Sequence, residues 1–365
     1  MSLQWSRYLR VRRKGDQMAL FHDLHPDPLY LPEDRWREFG VSSIIDIPEE
    51  ILSELLVKKL IVNSEGDDET EYQLVSANLL KKLNQPTILY LMLSQQCNFD
   101  CCYCPARASL SQNEKSLRRE DAIAGVNLWL SHLGEVADSE ADYYVIFYGG
   151  EPLLNREVME DVLVYLKELR EGGRLPVQHL NLMVATNGSL VDEDFIHLCQ
   201  KYDLLVAVGL DGPPEINNIY RLDALGRSTY ERTVQTIKNL VGRGVRTFAS
   251  ATITPHNVGQ IEDYSRFFGE LGVEKFGFNF LKGRALLERV KSEDLADYHL
   301  RAAQAVIGNA KQHGDYQMEK KVDAFNHQDF FPVDCTCYGN QLVSWLMVKC
   351  PIVRLPGKNW DQFRI

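Results

Sequence analysis

The stretch Thr87-Ile-Leu-Tyr-Leu-Met-Leu93-Ser-Gln-Gln-Cys97-Asn-Phe-Asp-Cys101-Cys102-Tyr-Cys104 joins two different signals. Thr87–Leu93 is an unbroken apolar run of strand length, the pattern of a strand buried on both faces. It leads directly into a loop holding four of the chain's eight cysteines, the others being Cys199, Cys335, Cys337 and Cys350. A disulfide scaffold spreads its cysteines through a small secreted chain. One tight cluster in a chain of 365 residues reads instead as metal or redox chemistry in a reducing cytoplasm. The segment Met1–Arg13 is basic but has no apolar core of the kind a secretory signal needs.

Outward from this stretch, strand-like runs alternate with amphipathic ones. The further strands expected are Tyr143–Tyr148, Leu180–Ala185, Leu204–Leu210, Arg246–Ile253 and Lys275–Leu281. Helices are expected at Arg119–Leu133, Arg156–Arg170, Glu193–Tyr202, Thr229–Gly242, Gln260–Leu271 and Leu295–Lys311. Asn155, Asp192 and Ser228 stand where helix caps belong. Six consecutive βα units imply parallel strands with right-handed crossovers. Periodicity leaves open whether they form a doubly wound sheet or a partial barrel. In both, ligands bind at the carboxyl ends of the strands. Those ends read Gln95–Cys104, Gly149-Gly150-Glu151-Pro152, Thr186-Asn187-Gly188, Asp211-Gly212-Pro213, Thr254–Asn257 and Lys282-Gly283-Arg284. Glycines, carboxylates, amides and thiols therefore gather on one rim.

Residues 1–84 differ in character. Tyr8–Arg12, Met18–Phe21 and Leu29–Leu31 read as short strands, Pro32–Phe39 and Pro48–Leu60 as helices, and Glu65–Glu71 as an acidic turn. This is a small α+β module, winged-helix-like in its order. Residues 85–314 hold the βα units, and residues 315–365 read as a loop-like, cysteine-bearing extension. The net charge of −11 argues against nucleic acid, whose phosphates need a basic face. No apolar run approaches the length that spans a bilayer.

The spacing C-x3-C-x2-C at Cys97, Cys101 and Cys104 suits three corners of a cubane [4Fe–4S] cluster, with one iron left open. A zinc site is the alternative reading of the same thiols, although structural zinc usually takes four ligands. Cys102 reads as a packing or cluster-shielding residue and Cys199 as buried core. Two glycines at Gly149-Gly150 allow close backbone approach to a ligand, Glu151 offers an acceptor for a cation, and Pro152 starts a helix.

With Tyr103 ahead of its last cysteine, the motif resembles the radical S-adenosylmethionine (SAM) superfamily, in register over roughly residues 87–290. Gly149-Gly150-Glu151-Pro152, Thr186-Asn187-Gly188 and Leu210-Asp211-Gly212-Pro213 are similar to the motifs of its peptide- and protein-modifying SPASM/twitch subgroup. That group includes sulfatase maturases and ribosomal-peptide maturases. The resemblance implies an α/β fold with a partial (β/α)6 TIM-type barrel. It also implies SAM as cofactor beside the [4Fe–4S] cluster, bound by Gly149, Gly150, Glu151, Pro152, Thr186, Asn187, Asp211 and Arg221. Arg221 is either a donor to the SAM carboxylate or a surface ion pair. Gly209 stands where many relatives carry a serine, and Asn217-Asn218 replaces the usual His-Asp.

The tail around Cys335, Cys337 and Cys350 resembles the opening of a SPASM domain, truncated or degenerate. An auxiliary iron–sulfur cluster there needs a fourth ligand from elsewhere. Residues 1–84 resemble a leader-peptide-recognition module, which binds by strand addition. The function implied is a cytoplasmic peptide maturase acting on a precursor peptide, with flavodoxin or ferredoxin as electron donor. Oxidation of a protein Cys or Ser, as in sulfatase maturation, and an inactive peptide-binding homologue are the alternatives. Catalytic side chains beyond these are not assigned.

Overall fold

The computed structural model describes residues 3–39, 44, 47–83, 86–104, 116–136, 141–273, 275–281, 286–313 and 341–344. They divide into two compact units, one built from residues 3–83 and the other from residue 86 onward.

In the first unit, β1 (Gln4–Trp5) pairs with β5 (Ile61–Val62). A separate antiparallel sheet has the order β2-β3-β4, formed by Leu9–Lys14, Gln17–His22 and His25–Pro32. Helices α1 (Glu33–Phe39) and α2 (Glu49–Val57) lie between β4 and β5, and α3 (Glu65–Leu83) follows β5. Leu20, Leu29, Leu31, Trp36, Leu55 and Leu60 make the core of this unit. The expected acidic turn at Glu65–Glu71 is corrected here, because it is the opening of the 19-residue α3. Carboxylates are favourable at a helix N-terminus, and these are also answered individually. Asp67 accepts from Asn63 N–H and Ser64 Oγ. Asp68 takes Ser6 Oγ and Arg7 N–H, and Glu69 takes Arg7.

The second unit contains all six expected βα strands: β6 (Ile88–Ser94), β7 (Asp142–Gly149), β8 (His179–Thr186), β9 (Leu205–Gly209), β10 (Thr247–Ile253) and β11 (Lys275–Phe280). The helices are α4 (Arg119–Val136), α5 (Arg156–Glu171), α6 (Glu193–Tyr202), α7 (Pro214–Tyr220), α8 (Tyr230–Gly242), α9 (Tyr264–Glu270) and α10 (Leu295–His313). The short α7 was not anticipated. Every strand pair is parallel, in the order β11-β10-β9-β8-β7-β6.

This order answers what periodicity left open. Each strand adds on the same side as the one before, with no reversal. A doubly wound sheet reverses once, placing helices on both faces. Here right-handed crossovers put every helix on one face, as in a TIM-type barrel. Burial agrees. Leu89, Leu91 and Leu93, then Val145 and Phe147, then Val206 and Val208, and later Ala249, Ala251 and Ile253 belong to the core under the helices. The alternating residues Tyr90, Met92, Tyr148, Met183, Ser250 and Asn279 are only partly covered or exposed.

A seventh strand, β12 (Gln341–Ser344), pairs in parallel with β6 at the other edge. The loop-like reading of residues 315–365 had no strand there, and β6 supplied the free edge that it joins. Cys335, Cys337 and Cys350 lie outside the described residues, as do Lys282–Arg284.

Two of the three expected caps change. Asp192 does cap α6, accepting from Phe195 N–H at 2.8 Å. Asn155 makes no capping bond; its side-chain amide donates to Leu93 O and Leu117 O, tying α5 to the end of β6. Thr229, not Ser228, stands at the start of α8, and Ser228 bonds Glu231.

Candidate active site at the carboxyl rim

The loop bearing Cys97, Cys101 and Cys104 leaves the end of β6 and is clamped on two sides. One side is the start of the segment after β7. Gly150 N–H donates to Ser94 O and Glu151 N–H to Gln96 O, both at 2.8 Å. A Cβ on Gly149 would lie 2.3 Å from Ser94 O, and one on Gly150 would lie 2.3 Å from Gln96 O. The two glycines are thus required by the thiol loop itself. Backbone packing is a requirement on both glycines beside the ligand approach expected from the sequence.

The other side is the segment Tyr220–Ala224, which begins on the last residue of α7. Cys102 N–H donates to Tyr220 O, Asp100 N–H to Leu222 O, and Ala224 N–H to Asn98 O. Phe99 and Asp223 form an antiparallel bridge. The loop is therefore held as a short strand, and Arg221 sits in the middle of its partner. Nothing in the linear sequence marks this pairing, because its two halves lie more than a hundred positions apart.

Glu151 is fully buried, and its acceptors are already engaged. Oε1 takes Leu153 N–H at 3.1 Å and Thr186 Oγ1 at 2.7 Å, and Oε2 takes Asn187 N–H at 2.8 Å. Burial pushes its carboxyl up, while those three donors and Arg221 pull it back. Glu151 thus fastens the end of β7 to the end of β8. Pro152 opens a 3-10 turn that leads into α5, with Glu151 as its cap. Thr186 also accepts from Gly188 N–H, a residue at φ 80°. Asn187 reaches the thiol loop directly. Its Nδ2 donates to Asn98 Oδ1 at 2.8 Å and to Cys97 Sγ at 3.7 Å. Cys97 Sγ also accepts from Phe99 N–H at 3.4 Å.

Asp211 is fully buried. Its Oδ1 accepts from Thr252 N–H at 2.9 Å and its Oδ2 from Tyr103 Oη at 2.5 Å. Asn217, one of the two asparagines that depart from the family pattern, is fully buried and accepts from Asp211 N–H. Gly212, at φ 122°, has Tyr264 Oη 2.3 Å from where a Cβ would be. Arg221 is not a surface ion pair. It is partly buried, donates from Nη1 to Tyr103 Oη at 2.8 Å, and holds its Nε in an enclosed position. The hydroxyl of Tyr103 links Asp211 to Arg221. An aromatic with a hydroxyl before the last cysteine was the one available hint.

The three thiols are partly buried and unpaired. Burial pushes Cys97 up, and it pushes Cys101 up to about 11 although Arg221 pulls the other way. Such thiols stay protonated until a metal supplies the compensating charge. Among the described residues, no group of three His, Cys, Asp or Glu side chains is gathered around a single ion position. A cubane places each thiolate on a separate iron, so three spaced cysteines fit it better than they fit zinc. Phe99, 3% exposed, and Tyr103, 9% exposed, cover the loop. Cys102 packs against the core and Cys199 lies within it.

Residues 91–268 match the radical SAM superfamily. That stretch is a radical SAM domain, of the superfamily whose cofactors are a [4Fe–4S] cluster and SAM. Two curated relatives are similar to it. The radical SAM cyclopropyl synthase TigE of Paramaledivibacter caminithermalis is 25% identical over 64% of this chain and 54% of its own. The serine-type anaerobic sulfatase-maturating enzyme of Bacteroides thetaiotaomicron is 24% identical over 56% of this chain and 48% of its own. The chain thus spans about half the length of these curated relatives. The crystal structure of Streptococcus suis SuiB bound to precursor peptide SuiA shares the fold, with a TM-score of 0.51 at 14% identity. The match covers 94% of this chain and 82% of that one.

Proposed function

We infer that the protein is a radical SAM maturase acting on a ribosomally made precursor peptide, with Cys97, Cys101 and Cys104 holding the [4Fe–4S] cluster. The observation that carries this reading is that one loop at the rim of the matched domain bears the three thiols, with Asn187 bonded to Cys97 and Arg221 to Tyr103. When bound, the cluster and SAM supply a one-electron cleavage to methionine and a 5′-deoxyadenosyl radical that takes a hydrogen from the substrate.

The chain's own residues prepare for that chemistry. Hydrogen bonds to Cys97 Sγ from Phe99 N–H and Asn187 Nδ2 stabilise a thiolate there. Gly149, Gly150, Glu151, Pro152 and Thr186 hold the loop and the neighbouring strand ends in register. Asp211 anchors Tyr103, and Arg221 is the cation available for the carboxylate of SAM. Phe99 and Tyr103 exclude water from the loop. The sheet face not covered by helices, bearing Tyr90, Tyr148 and Asn279, is the surface for the substrate.

Residues 1–84 are the leader-recognition module in this reading. Its three-stranded sheet has two edges. β4 carries Pro26, Pro28 and Pro32, which have no N–H to donate, whereas β2 has no proline. β2 is therefore the edge for strand addition. The likeness to the cyclopropyl synthase TigE supports radical SAM chemistry, and the peptide in the SuiB structure supports a precursor substrate. A flavodoxin or ferredoxin would supply the electron, in a reducing cytoplasm. Residues 315–365 form the extension, whose Cys335, Cys337 and Cys350 would need a fourth ligand to hold a second cluster. Among the described residues, no helix is long and apolar enough to cross a membrane.

The likeness to a sulfatase-maturating enzyme favours a second reading, oxidation of a Ser or Cys side chain in a protein substrate. Anaerobic reconstitution, with iron counted and 5′-deoxyadenosine assayed under a strong reductant, tests the shared chemistry. About four irons per chain are expected for one cubane and about eight for two. Cys101→Ala should abolish deoxyadenosine formation, whereas Cys102→Ala should keep most of it. Equal loss in both would overturn the ligand assignment.

A further inference from the structure

We propose that Tyr103 is a positioning residue: its phenol, anchored on Asp211, fixes the Arg221 guanidinium in the space left by the absent side chain of Gly209, against the thiol loop. The proposal rests on the reading that Cys97, Cys101 and Cys104 hold a cluster.

Three observations carry it. First, the phenol has two partners of opposite kind. It donates to Asp211 Oδ2 at 2.5 Å and accepts from Arg221 Nη1 at 2.8 Å. Its single proton is committed to the carboxylate, so only a donor fits on its other side. Second, both ends of this chain of contacts are fixed. Asp211 is held through Oδ1 by Thr252 N–H and through its carbonyl by Tyr264 Oη. Arg221 N–H donates to Asn217 O, and the residues on either side of Arg221 pair with the thiol loop. Third, the guanidinium occupies the volume of a side chain that β9 lacks. A Cβ on Gly209 would lie 2.6 Å from Nη2 and 3.0 Å from Cζ of Arg221.

The charge survives in this enclosed place. A guanidinium keeps its proton at any working pH, and the Asp211 carboxylate lies on the far side of the phenol. Asp211 and Arg221 do not touch; the phenol stands between them. Without the hydroxyl, nothing stands between the guanidinium and the buried carboxylate, and direct pairing moves the cation off the position that Tyr103 gives it. A fixed cation near a cluster ligand favours the reduced, more negative cluster and raises its potential. Tyr103 therefore places the charge without supplying it.

The test is the midpoint potential of the reconstituted cluster measured without SAM, in wild type, Tyr103→Phe, Arg221→Gln and the double variant. Iron content and thermal midpoint are recorded for each. Both single variants should keep their iron and shift the potential to more negative values. The double variant should shift no further than Arg221→Gln alone, because the two changes act through one cation. Arg221→Lys, which keeps the charge, should restore part of the potential in the Tyr103 background only.

An unchanged potential in Tyr103→Phe beside a shifted one in Arg221→Gln would overturn the positioning role. So would additive shifts. Unchanged potentials in both would show that the guanidinium does not act on the cluster. If Tyr103→Phe takes up no iron, Arg221→Lys in the wild-type background carries the test: a wild-type potential there overturns the need for the fixed fork. Wild-type protein without iron would overturn the cluster reading itself, an outcome distinct from all of these.

Discussion

Gly150 shows how a single hydrogen atom can carry a site. Its missing Cβ is the space taken by Gln96 O, and its N–H holds Ser94 O. The clash partner is backbone, which cannot swing aside as a long side chain can. Gly150→Ala should therefore cost about 2 kcal/mol of stability, the ordinary penalty of overpacking a tight contact. Iron uptake should fall more than the change in unfolding midpoint suggests, because the displaced atoms belong to the thiol loop. Iron counted against denaturant midpoint in the same preparation checks this. Normal iron uptake by the variant would show that the loop tolerates a shifted β7 end.

At the scale of elements, the end of β3 carries a titratable group that governs the N-terminal unit. His22 is 2% exposed, its Nδ1 accepts from Leu24 N–H, and its Nε2 has no partner. Burial, and after it the neighbouring His25, lowers its pKa to about 4 from an ordinary value of 6.5. The folded state thus refuses a proton that the unfolded chain accepts. Stability from this group is complete above about pH 6.5 and is lost as the pH falls toward 4. The integrated loss is about 3 kcal/mol. The carboxylates of α3 with lowered values, Asp67, Glu69 and Glu71, act only further down. Urea unfolding of the N-terminal unit at pH 7.5, 6 and 4.5 should show this slope, and His22→Phe should flatten it. A slope that persists in the variant would assign the pH dependence elsewhere.

At the scale of the molecule, the buried side chains of the described residues form two cores with no residue in common, one around Leu20 and Leu55 and one around the seven-stranded sheet. Each core holds together its own elements, so the loss of one need not unfold the other. A chain lacking residues 1–84 should still take up iron and form 5′-deoxyadenosine, while its affinity for a precursor peptide falls at least tenfold, a loss of about 1.4 kcal/mol or more. Calorimetric titration of the peptide into both forms, with iron counted in each, reads the two properties separately. Full-strength binding by the shortened chain would remove the recognition role from residues 1–84.

Much of this was legible in the linear sequence, for reasons that can be stated residue by residue. Strand and helix periodicity is local, so the six βα units were readable from apolar spacing alone. The Cys97, Cys101 and Cys104 triad lies within one loop, so its meaning needed no partner. The Asp192 cap depends on a bond only three residues long. By contrast, Asn155, expected as a cap, turned to carbonyls of Leu93 and Leu117, and Glu65–Glu71, expected as a turn, became a helix once Ser6, Arg7 and Lys59 met its carboxylates. The sheet's winding direction, the seat of β12 on β6, and the Tyr103 link from Asp211 to Arg221 were also beyond reach. Each depends on which distant backbone or side chain arrives at a given place. The sequence determined the chemistry the chain can bring to the rim, since that is a matter of residue type and local spacing. Only the tertiary structure decided which of those groups face one another, because hydrogen bonds and close packing act across a few ångströms of space, whatever their separation along the chain.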